Sequence, residues 1–132
     1  MILIPHYVAS SAIAGAGLFT AVDLEEGTEI YRADPRFLMI IRDDEIAALP
    51  PAVRQTVRKY SYRGKGEHRL QDAVYYCVDD SRFMNHADAP NTRPIGDGEV
   101  YVTTSRIPAH TELTCDYSAF SELADCCFDF AE

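Results

Sequence analysis

Several kinds of residue are scarce in this chain, and each scarcity narrows what the protein can be. There is no tryptophan among its 132 residues, so no indole is available as a stacking platform. Only four cysteines occur, at positions 77, 115, 126 and 127, in a spacing that matches neither a disulfide framework nor a zinc finger. Cys126 and Cys127 are neighbours, an awkward pair to bridge, and all four read as reduced thiols. No apolar run reaches the roughly 20 residues that a membrane-spanning helix needs. The first residues, Met1-Ile2-Leu3-Ile4-Pro5-His6, lack the basic start and long apolar stretch of a signal peptide, which makes a cytoplasmic location the default expectation. Basic residues are also few: 12 against 21 acidic ones leave a formal net charge of −9. That balance argues against a surface that tracks nucleic-acid phosphates. It suits cationic partners, and equally it keeps an ordinary cytosolic protein soluble.

What is present is the composition of one soluble globular domain spanning residues 1–132, 47% hydrophobic and 25% charged. Ile2 to Val8 is mostly apolar and reads as a strand, followed by small residues that lead to Gly15 and Gly17. Neither glycine has a Cβ, so both can take positive φ and let the backbone approach a ligand closely. The third glycine of a dinucleotide fingerprint is missing, which leaves a ligand-contacting turn or a plain tight turn. Leu18 to Val22 and Thr28 to Tyr31 predict two strands of a hairpin across Asp23-Leu24-Glu25-Glu26-Gly27. Phe37 to Ile41 suits a strand. From Asp43, a candidate N-cap, Ile46, Leu49, Val53 and Val57 fall near helical spacing, and Pro50-Pro51 divides them into a short helix and a longer one ending near Tyr60. Arg63 to Glu67 reads as a polar loop, Val74 to Val78 as a strand, and Asp79 and Asp80 stand where they can pair with Arg82. Val100 to Thr104 and Thr111 to Thr114 predict further strands around a turn at Pro108-Ala109-His110. Ser118 to Cys127 predicts a short helix capped by Ser118, with Phe120 and Leu123 on one face, before the aromatic tail Phe128 and Phe130.

Three stretches stand out. Arg82-Phe83-Met84-Asn85-His86-Ala87-Asp88-Ala89-Pro90-Asn91 crowds polar side chains that are costly to bury without partners. Glu112-Leu113-Thr114-Cys115-Asp116-Tyr117 is an apolar strand ending in a tyrosine, and Gly15-Ala16-Gly17-Leu18-Phe19 is the glycine turn. In this order they resemble the SET domain family of protein lysine methyltransferases, whose signatures read G-x-G, R-F-x-N-H-x-x-x-P-N and E-L-x-x-D-Y. The resemblance spans about Ile13 to Phe120. It implies a mainly β fold with short helices: a β-clip of several small sheets, closed by a C-terminal pseudoknot that brings Asn85 near Tyr117. The variable insert of the family falls at about 43–70 and a tail without zinc at about 118–132. S-adenosylmethionine is the implied cofactor, met by Gly15, Ala16, Gly17, Leu18, Arg82, Asn85 and His86. Tyr117 takes the position of the catalytic tyrosine, with Cys115, Tyr60, Tyr76, Phe120 and Phe128 as candidates for the substrate channel. The implied partner is a basic, lysine-containing protein or peptide, histone-like or ribosomal, and the location nuclear or chromatin-associated if the chain is eukaryotic or viral. A homodimer completing the substrate groove is a further expectation. The alternative is a SET-like module with weak or no transfer that binds a basic partner.

Methyl transfer from a sulfonium to an amine is an in-line displacement, so alignment and exclusion of water are most of the catalysis. The lysine must be neutral, and desolvation beside a positive charge lowers its pKa from about 10.4. Tyr117 is expected to hold the amine in line; simple packing is the other account of an Asp-Tyr pair, as a core histidine is for His86. Three departures from the family pattern matter. Ala16 stands where a tryptophan is often found, and Asp88 where zinc-bearing members place a cysteine, so no metal is expected. Cys115 replaces the usual phenylalanine or tyrosine; it is smaller and a poor hydrogen-bond donor, so higher methylation states are expected to fit.

Overall fold

Ten short strands and two helices make up the computed structural model, which describes residues 1–122 and residue 125. In chain order they are β1 (His6–Ser10), β2 (Ala16–Thr20), β3 (Glu29–Arg32), β4 (Leu38–Arg42), α1 (Asp43–Ala47), α2 (Pro51–Tyr60), β5 (Ser61–Tyr62), β6 (Ala73–Cys77), β7 (Asn85–His86), β8 (Thr92–Ile95), β9 (Val100–Thr103) and β10 (Glu112–Cys115). They form three small sheets of order β1-β2-β10-β7, β3-β9-β8 and β4-β6-β5. The fold is therefore mainly β, as the motifs imply.

Several boundaries differ from the sequence expectation for identifiable reasons. The first strand begins at His6, after Pro5, and Ile2 makes only an isolated bridge to Tyr31. The hairpin expected between the strands flanking Asp23–Gly27 does not form: β2 pairs with β1 and β10, whereas β3 pairs with β9. Leu24 explains the change of sheet, because it is buried and bridged to Ile107, which pins the connection to the segment joining β9 and β10. Arg42, not Asp43, caps α1, with the Glu45 carboxylate accepting the Arg42 N–H at 3.2 Å. Pro51 opens α2, where a missing N–H costs nothing, and the helix ends at Tyr60. A further strand, β8, contains Pro94, which is tolerated because β8 is an edge. Phe37 to Ile41 does supply a strand, but β4 is an edge, with Met39 and Ile40 exposed.

The expected helix from Ser118 is replaced, as far as the described residues go, by a 3-10 turn over Tyr117–Ala119 capped by Asp116. The Asp116 carboxylate accepts both the Ser118 N–H (2.9 Å) and its hydroxyl (2.7 Å), so Ser118 is capped, not capping. Leu123, Cys126, Cys127, Phe128 and Phe130 lie outside the described residues.

Leu18, Ile30 and Leu113 are fully buried and cluster with Leu24, Met84, Tyr101, Ile107 and Cys115. Each such aliphatic side chain contributes about 1.5–3 kcal/mol by leaving water. This cluster joins the first two sheets and forms the floor on which the candidate site rests.

Candidate functional site

β10 is the strand on which everything converges. Leu113 pairs antiparallel with Leu18, while Thr114 and Cys115 run parallel to Asn85 and His86. The far end of the same loop also holds β10: Asn91 Nδ2 donates to the Glu112 carbonyl (2.8 Å) and Asn91 Oδ1 accepts the Thr114 N–H (2.9 Å). Thr92 adds a hydroxyl bond to the Thr114 carbonyl (2.6 Å). The loop from Asn85 to Thr92 thus grips the last strand from two sides, the physical content of the pseudoknot.

Asn85 is only 8% exposed, and its amide nitrogen is shared among Ser11 Oγ (3.1 Å), the Ala14 carbonyl (3.2 Å), the Ala16 carbonyl (3.1 Å) and Glu112 Oε2 (2.9 Å). Ser11 Oγ donates to Glu112 Oε1 at 2.7 Å. One carboxylate and one amide therefore tie the glycine turn to the last strand. The two glycines have different reasons. Gly15 has a positive φ of 46°, whereas Gly17 lies in β2 and needs no special backbone. A Cβ at Gly17 would stand 2.6 Å from Glu112 Oε2. The carboxylate cannot swing aside without leaving Ser11 and Asn85. Gly17→Ala is accordingly expected to cost about 1–3 kcal/mol, lowering the melting temperature by roughly 4–12 °C in a thermal unfolding experiment, and to weaken binding in the recess beside it.

Two recesses adjoin this joint. The larger, about 140 Å³, is lined by Tyr31, Tyr60, Tyr62, Cys77, Met84, Tyr101, Cys115, Tyr117 and Phe120, among others. Cavities of about 150 Å³ take a benzene ring, so an alkylamine fits by volume. The smaller, about 30 Å³, is lined by Ala14, Ala16 and Asn85 and shares Lys59, Tyr60, Arg82 and Tyr117 with the larger. Tyr117 is held firmly between them. Its hydroxyl donates to the Met84 carbonyl (2.7 Å), and its backbone N–H donates to His86 Nδ1 (3.0 Å). Since Nδ1 accepts, the histidine proton sits on Nε2, which faces Asp88 Oδ1 at 3.2 Å. Around the rim, Tyr60 meets Phe83 edge-on (5.2 Å), the Arg82 guanidinium lies 4.5 Å over the Phe83 ring and Lys59 Nζ lies 5.3 Å over Tyr60.

Burial sets the electrostatics of the larger cavity. It pushes the phenols of Tyr31, Tyr62 and Tyr101 above the ordinary tyrosine range and the Cys115 thiol up to about 12. These four side chains stay neutral at every physiological pH, and Cys115 is no nucleophile there. Among the described residues no group of three or more His, Cys, Asp or Glu side chains is placed to hold a metal ion.

Of the residues singled out from sequence, Ala16, Tyr60, Arg82, Asn85, Cys115, Tyr117 and Phe120 meet at these recesses. Gly15 and Gly17 line neither recess, and four further residues sit differently from the sequence expectation. Leu18 is fully buried in the core, and its residue pairs with Val8 and Leu113, away from the recess. His86 lines neither recess and acts on Tyr117 through the backbone. Tyr76 lies outside the cavity wall; strand alternation in β6 points it away from the face carrying Cys77. Arg82 pairs with the Asp79 carbonyl (2.8 Å) and not with the acids, since Asp79 accepts the Ile2 N–H (2.9 Å) and Asp80 meets His6 (3.0 Å). Phe128 lies outside the described residues. Sequence reasoning missed Tyr31, Lys59, Tyr62 and Tyr101 on the cavity wall. The alternation of Tyr60 and Tyr62 was the one available signal.

A SET domain model matches residues 15–118. The chain belongs to the SET domain family. Over 119 residues it is 29% identical to Histone-lysine N-methyltransferase 2D of Homo sapiens, and equally to that of Mus musculus, covering 84% of this SET domain chain. It spans about 2% of the length of those curated relatives. Among solved structures, a ctPRC2 complex bound to S-adenosylmethionine aligns with TM-score 0.59 at 22% identity, covering 92% of this chain and 16% of that one. A humanized mutant of the Chaetomium thermophilum Polycomb Repressive Complex 2 aligns with TM-score 0.57 at 25% identity, with the same coverage. A Plasmodium falciparum structure aligns with TM-score 0.55 at 18% identity, covering 88% of this SET domain and 95% of that chain. At such identities the likeness is one of fold.

Proposed function

We propose that this SET domain is a protein lysine N-methyltransferase that uses S-adenosylmethionine and acts on a basic protein segment, histone-like segments included. The observation that carries this is the seat of Tyr117: it lines both recesses and is fixed from two sides by the Arg82–Asn91 motif. The smaller recess, about 30 Å³ and so too small for the whole cofactor, has the chemistry to hold one end of it. In a chain of net charge −9, it gathers two cations, Lys59 and Arg82, suited to a carboxylate, beside the aromatic faces of Tyr60 and Tyr117. When bound, the cofactor supplies an electrophilic methyl group on sulfur.

The rest is done by the chain's own residues. The largely aromatic cavity strips water from an entering amine, and the positive charge of Lys59 and Arg82 on its wall works in the same direction, so both favour the neutral, nucleophilic form. The Tyr117 oxygen accepts an N–H from that amine and orients its lone pair. No described residue lining the cavity is a carboxylate or histidine, so the ammonium sheds its proton to solvent water. The acidic surface draws in a basic segment over a distance. The test is transfer of labelled methyl groups from S-adenosylmethionine to a panel of basic proteins, with the acceptor located by mass spectrometry. Label on a lysine is the expected result; no transfer together with no calorimetric binding of the cofactor overturns the proposal.

A second account is favoured by the aromatic character of the cavity, where five tyrosines and a phenylalanine surround a space for a cation. It is a catalytically weak module that holds a basic partner, and peptide affinity without methylated product distinguishes it.

A further inference from the structure

Among the described residues no strand pairs with the outer side of β4. Leu38 to Ile41 includes no charge and no proline, the register against β6 runs without a shift, and Met39 and Ile40 are 51% and 60% exposed. Folded proteins blunt such edges with charges, prolines, bulges or very short strands, because free backbone groups beside apolar side chains recruit another strand. Most other edges here are blunted in that way. β8 carries Arg93 and Pro94, β3 carries Glu29 and Arg32 and a shift in register, and β5 and β7 are two residues long. The ends of β4 fix which of its backbone groups face outwards. The Val78 N–H donates to the Phe37 carbonyl (2.9 Å) and the Asp43 N–H to the Asp72 carbonyl (2.8 Å), so Phe37, Met39, Ile41 and Asp43 turn their backbone groups towards β6. Leu38, Ile40 and Arg42 turn theirs away. The Leu38 N–H is taken by the Pro35 carbonyl and the Arg42 N–H by Glu45, which leaves Ile40 presenting both a donor and an acceptor at the open edge.

We infer that this edge pairs antiparallel with β4 of a second copy of the chain, joining two three-stranded sheets into one of order β5-β6-β4-β4-β6-β5. The strand is complementary to itself. Only residues whose backbone groups face outwards share ladder bonds across the new junction, and the register that pairs all five residues of β4 sets Ile40 opposite Ile40 on a two-fold axis. There the N–H and carbonyl of each Ile40 serve those of the other. Met39 falls opposite Ile41, and the charged flanks fall with opposite signs together: Arg36, just before the strand of one copy, beside Asp44, just after the strand of the other. A slip of two residues shortens the ladder, and in one direction it sets Arg36 opposite Arg42. Like charges directly opposite destabilise a strand pair and unlike charges stabilise it, so charge and overlap choose the same register. Arg36 and Asp44 are both exposed, and each meets a surface charge of its own chain, Asp34 at 2.6 Å and Arg42 at 3.1 Å. Neither Met39 nor Ile40 lines a recess, while Ser61 and Tyr62 of β5 line the larger cavity, at the outer margin of the joined sheet. Both cavities therefore stay open, an arrangement different from a dimer that completes the substrate groove. The inference stands apart from the activity proposed above.

Sedimentation equilibrium over the micromolar range is expected to show a monomer–dimer equilibrium, and hydrogen exchange to show the Ile40 amide gaining protection as the concentration rises. Ile40→Lys sets two like charges against each other on the axis and is expected to weaken association at least about tenfold. Its melting temperature at low concentration is expected to match the wild type, because the side chain it replaces is exposed. Val53→Lys, at an exposed apolar residue of α2, is expected to leave association unchanged. Arg36→Glu turns an attraction to Asp44 of the other copy into a repulsion and is expected to weaken association about fivefold. A monomer at every concentration overturns the inference, and so does a dimer that survives Ile40→Lys or tightens with Arg36→Glu. Protection of the Ile40 amide that does not change with concentration assigns the edge to a segment of the same chain and overturns it equally.

Discussion

Tyr117→Phe is expected to slow methyl transfer by at least about 100-fold, the usual worth of one positioned polar group acting on the reacting atoms, while S-adenosylmethionine still binds. The ring remains and goes on packing against His86 and Phe120, at 5.3 and 5.6 Å. What is lost is the oxygen proposed to receive the amine, together with its bond to the Met84 carbonyl. The second loss costs about 1 kcal/mol, a fall in melting temperature of roughly 4 °C, too little to unfold the domain. Single-turnover transfer with calorimetric cofactor affinity measured in parallel separates the two effects. Unchanged transfer would remove Tyr117 from the chemistry and leave it as packing at a strand end.

The contrast between Tyr117 and Tyr101 shows what a sequence of this kind makes legible. Tyr117 is readable because it ends a motif whose neighbours are polar and specific. Tyr31, Tyr62 and Tyr101 are not, because a tyrosine in a strand alternates sides in the same way whether its face meets a core or a cavity. Long-range partnership is equally hidden. The parallel pairing of Thr114 with Asn85 joins segments 29 residues apart, and nothing local to either specifies it. The false hairpin between β2 and β3 arose from the same gap: two strands around an acidic turn look like neighbours until Leu24 is found bridged to Ile107. Gly17 shows a third limit. Its requirement is steric and belongs to Glu112, 95 residues further on. The β-rich class and the two helices about Pro50-Pro51 were legible from apolar patterning and from proline, whereas the meeting of Asn85 with Tyr117 followed only from the family resemblance.

Asn85→Asp is expected to destabilise the domain more than Asn85→Ala at pH 7 and to recover in part as the pH falls. Alanine leaves the Ala14 and Ala16 carbonyls, Ser11 and Glu112 without the amide that now serves them. Losing that many buried contacts costs about 2–4 kcal/mol, or roughly 8–16 °C in melting temperature. Aspartate does the same and also sets a carboxylate where Nδ2 now lies 2.9 Å from Glu112 Oε2. Two carboxylates at that separation cannot both stay ionised cheaply, so the folded-state pKa of the pair rises above the unfolded values of about 4. The sign follows from linkage. The repulsion is felt in full above the raised pKa and fades as the pH falls through it, when a shared proton turns one oxygen into a donor towards the other. Melting curves at pH 7 and pH 5 should therefore converge for Asn85→Asp and Asn85→Ala, with the aspartate variant the one that moves. An aspartate variant at least as stable as the alanine variant at pH 7 would mean that Glu112 does not hold its charge against the amide. Because Asn85 also lines the smaller recess, both variants are expected to lose cofactor binding. The same amide that closes the fold over its last strand shapes the wall of the site, so Asn85 cannot be exchanged for the sake of one without forfeiting the other.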